Sequence, residues 1–164
     1  LIFGVDPGRR PGLAIIGDGR VLFAETLDSP ESVADEITRF RRYFDHGRLI
    51  ARVGHGDPTN RDRVIRSIWN AVDDIEVVDE RNTTRRTDEP DADAAVAIAL
   101  TSGRRMPFPP EVMPTPGEVR DIQRLSRIES EGRVTISTEL AEAVARGDLT
   151  LSDALLVQGR KSSR

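Results

Sequence analysis

The chain reads as an α/β protein built on one mixed five-stranded sheet, in the order βββαβαβα, with helices on both faces and a helical C-terminal extension. Three observations predict this class. The opening run Leu1-Ile2-Phe3-Gly4-Val5 is apolar and ends in Asp6 and a Pro7-Gly8 turn. Two further strand-like runs flank Gly17-Asp18-Gly19, a strong hairpin signal. Two strand-helix repeats then follow and close on an alanine-rich helix.

Taken in order, Gly12 to Ile16 is the second strand and Arg20 to Leu27 the third, so the first three strands form an antiparallel meander. Ser29-Pro30-Glu31 supplies a cap, a first-turn proline and an early acid, and Val33, Ile37, Phe40 and Phe44 recur at helical spacing. Arg48 to Val53 is a fourth strand entering the loop Gly54-His55-Gly56-Asp57-Pro58. Asn60 to Val72 is a helix with Val64, Ile65, Ile68 and Trp69 on one face. Ile75 to Asp79 is the fifth strand, and Asp91 to Ser102, ended by Gly103, the last core helix. Right-handed crossovers would set strands four and five parallel to strand one. Ligands of such sheets gather at the carboxyl ends of the parallel strands, where Asp6, the Gly54 to Asp57 loop and Asp79-Glu80 would share one rim.

The expected organisation is a core domain over 1–103, a linker over 104–116 and a helical extension over 117–164. Five prolines (107, 109, 110, 114 and 116) mark the linker. Beyond it, Gly117 to Glu131 carries Val119, Ile122, Leu125 and Ile128 as an apolar stripe. Ser137 caps a helix that Gly147 stops, and Ser152 to Gln158 reads as a third. This pair lacks a basic second helix, so packing or self-association fits it better than major-groove binding.

Composition narrows the function classes. The 164 residues carry no cysteine, which excludes a disulfide framework and thiolate chemistry and fits a reducing cytoplasm. No apolar stretch approaches 18 residues, and no leader is recognisable, so a soluble protein away from membranes is expected. A net charge of -4 argues against coating of polyanions through a large positive field. Local clusters matter instead, and 23 of the 24 basic residues are arginines, Lys161 being the one lysine. Arg9 and Arg10 follow the Asp6 turn, Arg61, Arg63 and Arg66 open the second helix, and Arg81 and Arg85 lie beside the acids. Their guanidinium forks suit phosphate contacts.

The acids carry the strongest functional signal. Asp6, Asp79-Glu80, and Asp88, Asp91 and Asp93 are far apart in sequence but predicted to converge. Carboxylates held close repel unless one is protonated or a hard cation sits between them, and magnesium or manganese is the natural guest. Such ions can activate water and stabilise a leaving phosphodiester oxygen.

The element order, Phe3-Gly4-Val5-Asp6-Pro7-Gly8, Val77-Val78-Asp79-Glu80-Arg81 with Thr83 and Thr84, and the helix opening at Asp91 resemble the RNase H-like superfamily in its Holliday-junction resolvase RuvC and YqgF (RuvX) branch. The resemblance covers roughly residues 2–103. It implies an RNase H-like fold and a metal-dependent, structure-specific nuclease acting on branched DNA or structured RNA such as a ribosomal RNA precursor. Its catalytic and metal-holding residues would be Asp6 and Glu80 with Asp91 or Asp93, and Asp88-Glu89-Pro90-Asp91-Ala92 fits the D-x-x-D-A ending of RuvC-type sites. The corresponding partner expectation is nucleic acid, and a homodimer follows from the two symmetric cuts of a four-way junction.

The chain departs from the family on the fourth strand, where RuvC-type enzymes carry a glutamate and this one offers His55 and Asp57. That departure motivates a competing reading, a catalytically silent nucleic-acid-binding or scaffold protein on the same fold. The actin-like and sugar-kinase ATPases share the opening turn but need a duplicated domain, for which this length leaves no room. Asp91 also suits a helix N-cap, His55 a plain loop position, and Trp69, Phe40, Tyr43 and Phe44 helix packing.

Overall fold

The first strand, β1 (Ile2–Asp6), takes two neighbours, and they decide how the sheet grows. It runs antiparallel to β2 (Gly12–Gly17) with Asp6 opposite Gly12, and parallel to β4 (Ile50–Gly54) with Val5 opposite Val53. The computed structural model describes residues 1–79 and 90–162, and for residues 90, 91, 161 and 162 the backbone alone. β3 (Arg20–Thr26) pairs antiparallel with β2, and β5 (Asp74–Val78) parallel with β4. A two-residue β6 (Arg104–Arg105) pairs antiparallel with β5, giving the order β3-β2-β1-β4-β5-β6.

The expected meander and the two parallel strands are therefore present, in a sheet of six strands instead of five. The sixth corrects the linker expectation: residues 104 and 105 precede the prolines and remain extended against Glu76 and Val77. Gly103 makes the approach possible, since a Cβ there would stand 2.4 Å from the Val77 carbonyl oxygen. The Met106 amide continues the pairing by donating to the Ile75 carbonyl at 2.8 Å.

Pleat alternation sorts the sheet's two faces. Phe3 and Val5 point to one side and pack, fully buried, with Val33 and Ile37 of α1 (Ser32–Tyr43) and Val64, Ile65 and Ile68 of α2 (Pro58–Ile68). Gly4 points to the other side, against α3 (Pro90–Leu100), where a Cβ would lie 2.1 Å from the Ala95 carbonyl oxygen and 2.6 Å from the Ala99 methyl. Helices thus cover both faces, and small residues on β1 and α3 bring helix and strand backbones together.

Local chemistry explains the remaining boundaries. Asp18 and Gly19, at φ 48° and 74°, form the two-residue β2–β3 turn that the right-handed strand twist favours. α1 starts at Ser32, two residues after Pro30, because Ser32, Val33 and Ala34 donate to carbonyls three residues back, a tighter turn than the α-helix.

The chain divides into two compact units, Leu1–Glu111 and Val112–Arg164. The second holds α4 (Pro116–Glu129), α5 (Thr138–Arg146) and α6 (Leu151–Ser162), which pack on one another around Val119, Ile136, Ala141 and Ala154. Thr115 and Glu118 form a reciprocal capping box on α4, and Ser137 caps α5, which ends at Gly147 with φ 80°. Buried Ser126 joins α4 to the next segment, donating to the Gln123 carbonyl at 2.7 Å and accepting from the Ile136 amide at 3.2 Å.

Candidate functional site

Three parallel strands end together. Gly54 lies opposite Val78, and one step beyond the Val5–Val53 pair Asp6 reaches the same level. The ladder extends into the loop, because the His55 amide donates to the Val78 carbonyl at 2.9 Å. Asp6, the loop from Gly54 to Asp57, and Asp79 accordingly share the carboxyl rim of the sheet. Asp6 is half-buried and, by alternation, belongs with Gly4 to the face that α3 covers. Arg9 and Arg10 are exposed beyond it, Arg10 lying 3.9 Å from Asp28.

Not every expected site residue is described. Glu80, Arg81, Thr83, Thr84, Arg85 and Asp88 lie outside the described residues, and Asp91 is placed by its backbone in the first turn of α3. Asp91 stands four residues before Ala95 and so shares its stripe of the helix. Asp93 does not: it is exposed, two positions round from the buried Ala92, Ala95 and Ala99 stripe, which takes it away from the sheet. Among the described residues no group of three or more His, Asp or Glu side chains is arranged to hold a metal ion.

The loop after β4 is occupied with structure. Asp57 takes a left-handed conformation, φ 38°, and caps α2. Its Oδ1 accepts from the Asn60 amide at 3.3 Å and its Oδ2 from Asn60 Nδ2 at 2.8 Å. Exposed His55 accepts at its carbonyl from Arg61 Nη1 at 3.3 Å, while Arg61 Nε holds Asp62 at 2.8 Å. Arg63, expected to contact phosphate, closes its fork on both carboxylate oxygens of Glu31 at 3.0 Å and ties α2 to the start of α1. A guanidinium spent on a bidentate pair is a tether first.

Two charged residues escaped the sequence reading. Arg52 and Glu76 face each other across β4 and β5 in the row of Gly4, with Nε to Oε2 at 2.9 Å. Arg52 also donates from Nη1 to the Ala99 carbonyl at 2.6 Å, and Glu76 accepts from the Gly103 amide at 3.1 Å. This pair fastens the end of α3 to the strands on which the rim rests. The available signal was one opposite charge in each of two apolar strands.

Two cavities among the described residues lie away from the rim. A cleft of about 510 Å³ is lined by Trp69, Val72, Asp73, Asp74, Arg105 and Pro107 at the opposite edge of the sheet. There Asp74 is almost fully buried and ion-paired to Arg48, with Arg105 Nη2 at 2.8 Å from Oδ1 but poorly aligned for a hydrogen bond. An apolar groove of about 1260 Å³ opens on the second unit beside Val134, Leu155, Leu156 and Val157.

These features define an α/β unit with a mixed sheet, followed by a helical unit. A family model described as "Three helical bundle domain" matches residues 115–160, and the α4–α6 packing is similar to what that description states. No curated protein matches the chain. No described helix is long and apolar enough to cross a membrane.

Proposed function

We propose that the first unit is an RNase H-like nuclease domain of the RuvC and YqgF type, which hydrolyses phosphodiesters of branched DNA or structured RNA with magnesium or manganese. The observation that carries this reading is the sheet order around β1. The fourth strand lies beside the first and the fifth beyond it, and Asp6 ends the central strand on the face covered by α3. That neighbourhood is what the family resemblance implies for the element order and for its acidic rim.

The donor chemistry fits a hard cation. Carboxylates are the ligands that magnesium and manganese prefer, and Asp6 brings one to the rim on the face that α3 covers. Strands β1 and β5 are about 9.6 Å apart at their backbones, so a ligand from the β5 end must lean inward or act through water. The bound ions would supply an activated water and charge stabilisation at the scissile phosphate. Within this chain Asp6 would hold and orient that assembly, with Glu80 and Asp91 as the remaining carboxylates. Exposed Arg9 and Arg10, which follow the Asp6 turn, would contact the phosphate backbone.

Labelled junction, flap, duplex and RNA hairpin substrates, each with and without manganese, test the reading. Asp6→Asn should lower divalent-dependent cleavage by roughly a hundredfold or more, about 3 kcal/mol of transition-state stabilisation. Undiminished cleavage by that variant ends the proposal. A catalytically silent nucleic-acid-binding protein is the second reading. It is favoured by Asp57, whose two oxygens are committed to capping α2 and are not offered at the tip of β4. Calorimetry that detects nucleic-acid affinity but no divalent binding selects it.

A further inference from the structure

The nuclease reading leaves unused the segment Arg39-Phe40-Arg41-Arg42-Tyr43-Phe44 at the end of α1. Helical spacing brings Asp35, Thr38, Arg39, Arg42 and Tyr43 onto one stripe, and all five are exposed. Tyr43, expected to pack, is instead 78% exposed, and Phe44 39%. Beneath them the aromatic side chains are held in place. Phe23 of β3 meets Phe40 edge-on with ring centroids 5.1 Å apart, and Phe44 stacks on Phe40 at 5.7 Å with planes 9° apart. The Arg39 guanidinium lies 5.3 Å from the Phe40 centroid.

The segment itself carries three arginines, with exposed Asp35 and Asp45 at its two ends. Glu36 pairs with Arg39 at 2.6 Å, whereas neither Arg41 nor Arg42 pairs with a carboxylate among the described residues. Arg41 donates to the Ala71 carbonyl at 3.0 Å. The helix dipole accounts for basic residues in the last turn. It does not account for a tyrosine ring 78% exposed among those arginines, next in sequence to a stacked phenylalanine.

A partner that uses both features must present flat π-faces together with regularly spaced negative charge. Single-stranded nucleic acid does so, and a duplex does not, because its base faces are already stacked. We propose that the end of α1 is a stacking site for single-stranded nucleic acid, with Tyr43 and Phe44 receiving bases and Arg42, assisted by Arg39 and Arg41, receiving phosphates. The proposal rests on the reading that the chain acts on nucleic acid, and not on cleavage.

The test is fluorescence anisotropy of the full chain in EDTA at fixed salt. The probes are a labelled single-stranded oligonucleotide of about 15 nucleotides and the duplex of the same sequence. The single strand should bind more tightly than the duplex. Tyr43→Ala should weaken single-strand binding roughly tenfold, with Tyr43→Phe close to the parent. Arg42→Ala should reduce the salt slope by about one. Tyr43→Ala binding as tightly as the parent, or equal affinity for duplex and single strand, overturns the site. Exposure of Tyr43 keeps folding out of the result, and far-ultraviolet circular dichroism verifies it. Loss of cleavage in Asp6→Asn is read separately, so either assignment can fail while the other stands.

Discussion

At position 4 an added methyl group would stand 2.1 Å from the Ala95 carbonyl oxygen and 2.6 Å from the Ala99 amide nitrogen. Both obstacles are largely backbone, and neither can rotate away, so Gly4→Ala must push α3 off β1. The expected cost is about 3 kcal/mol or more, read as a lower urea midpoint with little change in slope. Because α3 covers the face to which Asp6 belongs, the proposed nuclease function predicts that the same variant also impairs cleavage, with its charges untouched. Arg52 and Glu76 act at the same level by a different means. There long side chains, and not missing ones, hold the helix, through the Ala99 carbonyl and the Gly103 amide. A strand position can serve close packing with no side chain or bridging with the longest one, and in this row both occur.

Helix α2 shows how an element's start can be separated from the site beside it. Asp57 both caps the helix and adopts φ 38°. Asp57→Ala loses the cap and keeps an unfavourable backbone, which predicts a loss of about 2 kcal/mol. Asp57→Asn retains an acceptor and tolerates the left-handed region, and should cost only a few tenths of a kcal/mol. Thermal melts of the two variants check the difference, and divalent-dependent cleavage should survive both. Most elements were legible because their signals are local: short apolar runs bounded by turns for β1 and β2, the Gly17-Asp18-Gly19 hairpin leading into β3, apolar spacing for α1 and α2, and Ser137 with Gly147 bounding α5. β6 was not, since two residues have no period to read. The Arg63 tether was not legible for a related reason: its partner Glu31 precedes α1, 32 residues earlier, and only the fold joins them. At the site, the rim position of Asp6 followed from a carboxylate closing an apolar strand. Exposure of Asp93 was not legible, since it depends on the phase of α3 against the sheet.

The two units have cores of unequal size. The first surrounds Phe3, Leu13, Ile15, Ile37 and Ile65, whereas the second rests on Val119, Ile136, Ala141 and Ala154 with half-buried neighbours. A fragment of residues 112–164 should therefore show helical circular dichroism yet a stability of no more than about 3–5 kcal/mol. Urea titration of the fragment checks this, and a fragment without a cooperative transition would contradict independent cores. The short β6 has a further effect. By lying along β5 it occupies the margin where β5 would otherwise offer unpaired amides and carbonyls over Glu76 and Val77. At the other margin stands β3, seven residues long, with Val21 and Leu22 exposed. Any visiting strand, from a neighbour or from a misfolded copy, finds its template there, and lysine or proline on the outer side of β3 is where solubility engineering would begin.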